Sequence, residues 1–411
     1  MSGPHLEATS GVRARPRFGA LRRAWPLGVA LLVIAVICSG LCFSRPGRAA
    51  TISAFVLPDM LVDLPVRPVT WFTADPIVER KRIPYDGGSI LADVYRPPGD
   101  SPHAAIIFSM GAPPLALDDA RLVKLAEAIT RAGMVMIVPF SDRLDAEQIE
   151  PEEIEALAGI FQFAEAQPYV DPERVGYIGV SVGGSLALVA ASDERIADRV
   201  DFVVSFGAYY DALDALEAIG AHRIKYDGRE EDWEPDPHTV EVMALQIISQ
   251  LSDASDRVTA CRAFVDIGDQ AFLCGIAGRE GRPTRAELAS LTPEGRAAYE
   301  VLTRPDPATT PALLKQLPPS LITRLARLSP DRVIDRLRAE VFIIHDRGDK
   351  FIPYVESRRL RDALDGREKV HFTEVSLFEH VEPRLSRGGD VLVLDGTRLY
   401  YLLYRLLLDL S

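Results

Sequence analysis

Residues 174–192 read RVGYIGVSVGGSLALVAAS and change character halfway. The apolar run VGYIGV (175–180) has the composition of a strand buried on both faces. Glycines then crowd around a single serine, and the chain continues as a small-residue helical stretch. Gly179-Val180-Ser181-Val182-Gly183 matches the G-x-S-x-G pattern of a nucleophile elbow. The spacing has a steric cause. A serine held on a sharp strand-to-helix turn projects its hydroxyl above the sheet, and side chains two residues either side would strike neighbouring backbone. The same turn aims the Val182 N–H and the helix N-terminus at the space above Ser181, where a developing oxyanion would be stabilised. Such context separates a nucleophile from a glycine-rich turn kept only for packing.

Outward from that turn the chain alternates apolar strands with amphipathic helices, as α/β proteins do. VERKRIPYD and ILADVYRP flank Asp86-Gly87-Gly88-Ser89, a hairpin signal, and HAAIIFSMG (103–111) reads as a buried strand. A helix is predicted from Asp118 as cap to Gly133, then a strand at MVMIVPF (134–140) and a helix opened by Pro151. DFVVSFGA (201–208) is the strand after the elbow helix. From 212 to 337 the rhythm stops: helical segments such as VEVMALQIISQL alternate with acidic, proline-containing loops such as YDGREEDWEPDPH. It resumes with AEVFIIHD (339–346), a helix near 354–364, KVHFTEVSLF (369–378) and a C-terminal helix. The expectation is a mainly parallel sheet flanked by helices. Its core comprises 78–211 and 338–411, and a mainly helical cap insertion (212–337) follows the sixth core strand. TRLYYLLYRLLLDL, near the C-terminus, carries Arg398, Arg405 and Asp409 inside or beside it. At about 14 residues it is too short and charged to span a bilayer and reads as a core helix, with membrane contact as the alternative.

YVDPERVGYIGVSVGGSLAL and VFIIHDRGDKFIPYVESRRL resemble the α/β-hydrolase superfamily, most closely its dienelactone-hydrolase and prolyl-oligopeptidase-like branch. The resemblance covers 80–211 and 338–380, and the insertion between them matches nothing. It implies a serine–acid–histidine triad in that chain order. For the acid it points to Asp349 in HDRGDKFIP, with Asp346 a close rival and Asp211, after the preceding strand, a more distant one. The acid would accept the histidine Nδ1–H and stabilise the imidazolium. After the acid, only His371 and His380 remain as the base. His371 sits inside an alternating strand, where the pleat fixes its reach. His380 follows that strand in a loop, where the ring can swing over Ser181. His380 is the expected base, and His5, His103, His222, His238 and His345 read as structural or solvated.

The oxyanion loop departs from the family's pattern. Relatives usually have His-Gly after the third strand, whereas this chain has Ser109-Met110-Gly111-Ala112-Pro113-Pro114. Gly111 permits the turn, and the backbone N–H groups of Gly111 and Ala112 are the candidates to join Val182 as donors. The Asp-x-Arg-Gly pattern usual after the next strand is also missing.

With 411 residues the chain is long enough for one large domain with an insertion. A net charge of −13 excludes a nucleic-acid-binding surface. Four cysteines exclude a disulfide-dense scaffold, and no CxxC pair or His/Cys cluster suggests a metal. No cofactor is expected. Residues 26–43, PLGVALLVIAVICSGLCF, carry no charge over 18 positions, roughly 27 Å of helix and about one bilayer core. Five arginines precede the run and only Arg45 and Arg48 follow closely, so the positive-inside bias keeps a basic tail (1–25) in the cytoplasm. Residues 26–43 then form a transmembrane anchor, 44–77 a connector, and the rest is extracytoplasmic. The rival is a cleaved signal peptide with Gly47-Arg48-Ala49 as its site, giving a secreted protein. In an oxidising space Cys261 and Cys274 could pair. Together these readings describe a membrane-tethered serine hydrolase acting on a small-molecule ester or acyl substrate. A peptidase or acyltransferase with the same triad, or a non-catalytic interaction protein on a hydrolase scaffold, are the alternatives.

Overall fold

Asp86 and Gly87 turn the chain back on itself, Gly87 at φ +101°, so that β1 (Ile77–Tyr85) pairs antiparallel with β2 (Gly88–Arg96). These strands begin the sheet of a computed structural model that describes residues 40, 44–61, 67–71, 73–264, 281–384 and 388–410. The other strands of that sheet are β3 (His103–Ser109), β4 (Val135–Phe140), β5 (Val170–Val180), β6 (Phe202–Phe206), β9 (Glu340–Asp346) and β10 (Val370–Val375). Their order is β1-β2-β4-β3-β5-β6-β9-β10. β2 meets β4 antiparallel, and every later pair is parallel. β3, β4, β6 and β9 are buried nearly throughout, which explains why they read as unbroken apolar runs.

One face of the sheet is covered by the helices Glu152–Glu165 and Val182–Ala191, through side chains such as Ile160, Phe161, Leu186 and Leu188. The other face is covered by Ala120–Arg131 and Gly389–Leu410, through Leu122, Ile129, Leu399 and Leu406. The helix Ala120–Arg131 takes its cap from Asp119, one residue later than the sequence suggests: the Asp119 carboxylate accepts from Arg121 N–H.

The insertion follows the sixth sheet strand and is helical except for one short stretch after its first helix, Ala212–Ala221. There β7 (Arg223–Tyr226) and β8 (Arg229–Asp232) form a hairpin through Asp227 and Gly228, both at positive φ. The Asp-Gly dipeptide was the available signal. β8 is exposed throughout, so no apolar alternation marks it as a strand. The helices Pro237–Ile248 and Pro319–Arg327 send Ile247 and Leu321, both fully buried, into the same cluster as the elbow helix. The cap is therefore part of the core on that face. Cys261, on the helix Ala254–Phe264, is buried and disulfide-bonded; Cys274, its suggested partner, lies outside the described residues.

Two terminal segments differ from the sequence reading. The connector contains a helix, Arg45–Leu61, that packs against the C-terminal helix, with Tyr400 donating to the Ala50 carbonyl at 3.1 Å. The C-terminal helix runs 22 residues, Gly389–Leu410, because Val391, Leu399, Leu402 and Leu406 extend its buried stripe. It is apolar outward too: Val393, Leu394 and Tyr401 stand on its solvent face, and Phe55 and Trp71 are exposed on the adjoining N-terminal segment. Apart from Gly40, the 26–43 run lies outside the described residues. Among the described residues no helix is long and apolar enough to cross a membrane.

Candidate active site

β5 ends at Val180 and the next helix starts at Val182, leaving Ser181 alone on the turn at φ 56°, ψ −136°. Few residues other than glycine tolerate that backbone region, and it costs of order 1–3 kcal/mol unless the surroundings impose it. The surroundings do. Ser181 N–H donates to the Phe206 carbonyl at 2.8 Å, and Gly184 N–H donates to the Ser181 carbonyl at 2.9 Å. The flanking glycines are obligatory for space. A Cβ on Gly179 would lie 2.5 Å from the Gly183 carbonyl oxygen, and one on Gly183 would lie 2.2 Å from that of Met110.

Asp349 and His380 are brought together at the same end of the sheet. His380 Nδ1 lies 2.7 Å from Asp349 Oδ2, and both residues are buried. The other carboxylate oxygen accepts the amides of Phe351 (2.7 Å) and Ile352 (3.1 Å), which fold the loop around it. Burial pushes this carboxyl up. Hydrogen bonds and charge from His345 and His380 outweigh it and hold Asp349 well below the usual carboxylate range. Phe351 stacks on the His380 ring at 4.8 Å between centroids. His380 itself sits at φ 57°, a second strained backbone after that of Ser181.

Gly207 links the two halves. It follows Phe206, whose carbonyl holds Ser181, and a Cβ on it would lie 3.3 Å from the His380 ring and 3.5 Å from Asp349 Oδ2. Its φ of +63° also favours glycine.

The rivals are occupied elsewhere. His371 Nε2 pairs with Glu340 at 2.6 Å on the sheet edge, and its ring stacks on Phe342. Asp211 caps the helix Ala212–Ala221 by accepting from Leu213 N–H. Asp346 spends its two oxygens on the amides of Gly348 (2.7 Å) and Phe378 (2.8 Å), anchoring the loops that carry Asp349 and His380.

The loop after β3 crosses above the serine: a Cβ on Gly111 would lie 3.1 Å from Ser181 Cβ and 3.5 Å from its Oγ. The amides of Gly111, Ala112 and Val182 have no acceptor among the described residues. These amides belong to the two segments that adjoin the serine, the elbow helix and the loop after β3. Among the described residues no cluster of His, Cys, Asp and Glu could hold a metal ion.

Serine elbow after the fifth strand, acid after the seventh sheet strand, histidine after the eighth: the architecture is decided by that order. The fold is that of the α/β-hydrolases. No family model matches the chain, and no curated protein matches it. Several solved structures are similar to it. They include an acylaminoacyl peptidase (13% identity, 80% of this chain and 40% of that one, TM-score 0.45). A puromycin-hydrolysing peptidase of Mycobacterium tuberculosis aligns at 16% identity, over 82% of this chain and 40% of that one, TM-score 0.45. An esterase from the archaeon Pyrobaculum calidifontis aligns at 13% identity, over 92% of this chain and 98% of that one, TM-score 0.43. The chain spans about two-fifths of the length of the two peptidase structures.

Three contributors to the site escape a reading of the sequence. Gly207 carried a signal, a glycine at a strand end, whereas His345 and Trp233 carried none. His345, taken from sequence as structural or solvated, lies 3.3 Å from Asp349 Oδ2. Trp233, just after β8, donates from Nε1 to the Asp349 carbonyl at 2.8 Å, tying the cap to the acid loop.

Because the Asp349 carboxyl is held low, its contribution to stability is fully present above the ordinary carboxylate range. It is lost as the pH falls through that range toward the depressed folded value. Urea unfolding between about pH 6 and pH 3.5 should therefore show a shallower acid loss of stability in Asp349→Asn than in the unaltered protein. Equal slopes would contradict the assigned environment.

Proposed function

We propose that this α/β-hydrolase is a membrane-tethered serine hydrolase that cleaves a carboxylic ester through Ser181, His380 and Asp349. The observation that carries the reading is the buried 2.7 Å pairing of Asp349 with His380, linked to the strained Ser181 turn through Phe206 and Gly207. Ser181 Oγ attacks the ester carbonyl while His380 Nε2 takes its proton. Asp349 fixes the ring with Nδ1–H toward the carboxylate and stabilises the imidazolium. The tetrahedral oxyanion rests against the amides of Val182, Gly111 and Ala112. Collapse expels the alcohol, which takes the proton from His380, and the acyl group stays on Ser181. Water activated by His380 then releases the acid.

A small ester is favoured over a peptide by the cap. Besides the Trp233 bond, Asp236 N–H donates to the Lys350 carbonyl (2.8 Å) and Thr239 to that of Phe351 (3.2 Å). The cap is thereby stitched along the acid loop. A peptidase or an acyltransferase would use the same triad, so an ester chain-length series run beside peptide amides and non-water acceptors separates the three.

Tethering rests on the uncharged run 26–43. Three features support it. The alternative cleavage site, Gly47-Arg48-Ala49, lies inside the helix Arg45–Leu61, with Gly47 and Ala49 buried. The C-terminal helix packs beside that same helix, and its outward apolar side chains suit a lipid surface. The disulfide at Cys261 suits an extracytoplasmic domain.

Ser181→Ala should abolish both fluorophosphonate labelling and ester hydrolysis in a folded protein. His380→Ala should lower kcat by about 10²–10⁴-fold, while His371→Ala leaves it within about threefold. Full activity in Ser181→Ala would overturn the hydrolase reading and favour a non-catalytic scaffold. For topology, protease added to intact cells or spheroplasts should digest the catalytic domain and spare the first 25 residues. Activity should stay with salt-washed membranes, and protease-protected activity in the cytosol would refute the anchor.

A further inference from the structure

His345 occupies β9 one residue before Asp346 and is fully buried, yet no step described above uses it. Its Nε2 lies 3.1 Å from the Ile352 carbonyl and 3.3 Å from Asp349 Oδ2, the oxygen that also meets His380 Nδ1. Both neighbours of Nε2 are acceptors only, so this nitrogen must carry the proton. Nδ1 has no hydrogen-bond partner among the described residues. A doubly protonated ring would bury a second N–H with nothing to receive it, which costs about 1–3 kcal/mol. The ring is therefore a fixed single donor.

We propose that His345 is a positioning residue whose Nε2–H, shared between the Ile352 carbonyl and Asp349 Oδ2, keeps the Asp349 carboxylate ionised and aimed at His380. The role rests on the hydrolase reading. When His380 takes the serine proton, an imidazolium faces Asp349. A carboxylate already held by a second donor is a weaker proton acceptor, so the proton stays on His380, ready for the leaving alcohol. The depressed Asp349 carboxyl agrees with this, since His345 is the foremost of the causes that lower it.

The other charged groups around His345 are engaged. Asp346, next on the strand, accepts from Gly348 and Phe378 amides. Glu374, opposite on β10, pairs with Arg358 at 2.5 Å. On the loop behind, Ile352 offers a carbonyl, and Asp349 is the one carboxylate within reach of the ring among the described residues.

Two measurements on the full-length protein test the proposal. In the first, long-range ¹H–¹⁵N spectra of the protein labelled at its seven histidines report the tautomers directly, with His345→Phe assigning the signal. His345 should hold its proton on Nε2 from about pH 6 to pH 8, and a proton on Nδ1 in that range would overturn the proposal. In the second, fluorophosphonate labelling of Ser181 is followed against pH. In His345→Phe, which keeps the ring volume without the donor, the carboxylate draws the His380 proton harder. The acid limb should then move to higher pH by about half a pH unit or more. His345→Gln, which restores an N–H donor, should return the limb toward its original position. An unmoved limb in His345→Phe with only a lower plateau would mean a packing role and refute the proposal. Absence of labelling in the unaltered protein would overturn the hydrolase reading and the positioning role with it. The tautomer tells that failure apart from a failure of His345 itself.

Discussion

An ionised carboxylate taken out of water costs several kcal/mol unless its lone pairs are answered from within the protein. Asp349 is 1% exposed and every direction around it is answered: two loop amides on one oxygen, His380 and His345 on the other. That requirement organises much of the surrounding structure. The loop from 347 to 352 must curl back to present its amides. β9 must place His345 beneath the carboxylate, and His380 must accept a left-handed backbone to bring Nδ1 within 2.7 Å. Asp346 extends the arrangement by holding Phe378, two residues before His380, to the end of its own strand.

The serine side is constrained by contact between backbones. Gly179 and Gly183 leave no room for a methyl group between the elbow, the start of its helix and the loop after β3, and Gly111 leaves little. That crowding helps impose the strained torsions of Ser181. The two constrained regions meet at Gly207, where the carbonyl before it holds the elbow and its Cα hydrogens face the histidine. Strain at Ser181 and at His380 thus lies on opposite sides of one glycine, as expected where a reactive geometry is imposed by the fold.

Much of this was legible from residue order. The buried parallel strands announce themselves as apolar runs, and the elbow was recognisable because its pentapeptide lies between a strand and a helix. Asp349 could be named only through the family resemblance. Asp346 and Asp349 are three residues apart with similar surroundings in sequence, and only the fold shows that Asp346's oxygens are consumed by Gly348 and Phe378. The β7–β8 hairpin was hidden because REED has no apolar side to mark a strand. The helix Arg45–Leu61 was hidden by Pro58, which ordinarily ends a helix, and by the small residues that let it lie close to the C-terminal helix. His345 was illegible for another reason: its contact with Asp349 exists only after the intervening loop has folded back.

The central claim is that Ser181 is the activated nucleophile of this site, and peptide mapping of the labelled protein tests it most directly. After reaction with a fluorophosphonate and proteolysis, mass spectrometry should find one phosphonyl adduct, on the peptide containing Gly179–Gly183, with its mass on Ser181. The adduct should not form when His380 is replaced by alanine. An adduct on a different residue, or labelling of Ser181 that is indifferent to His380, would contradict the account.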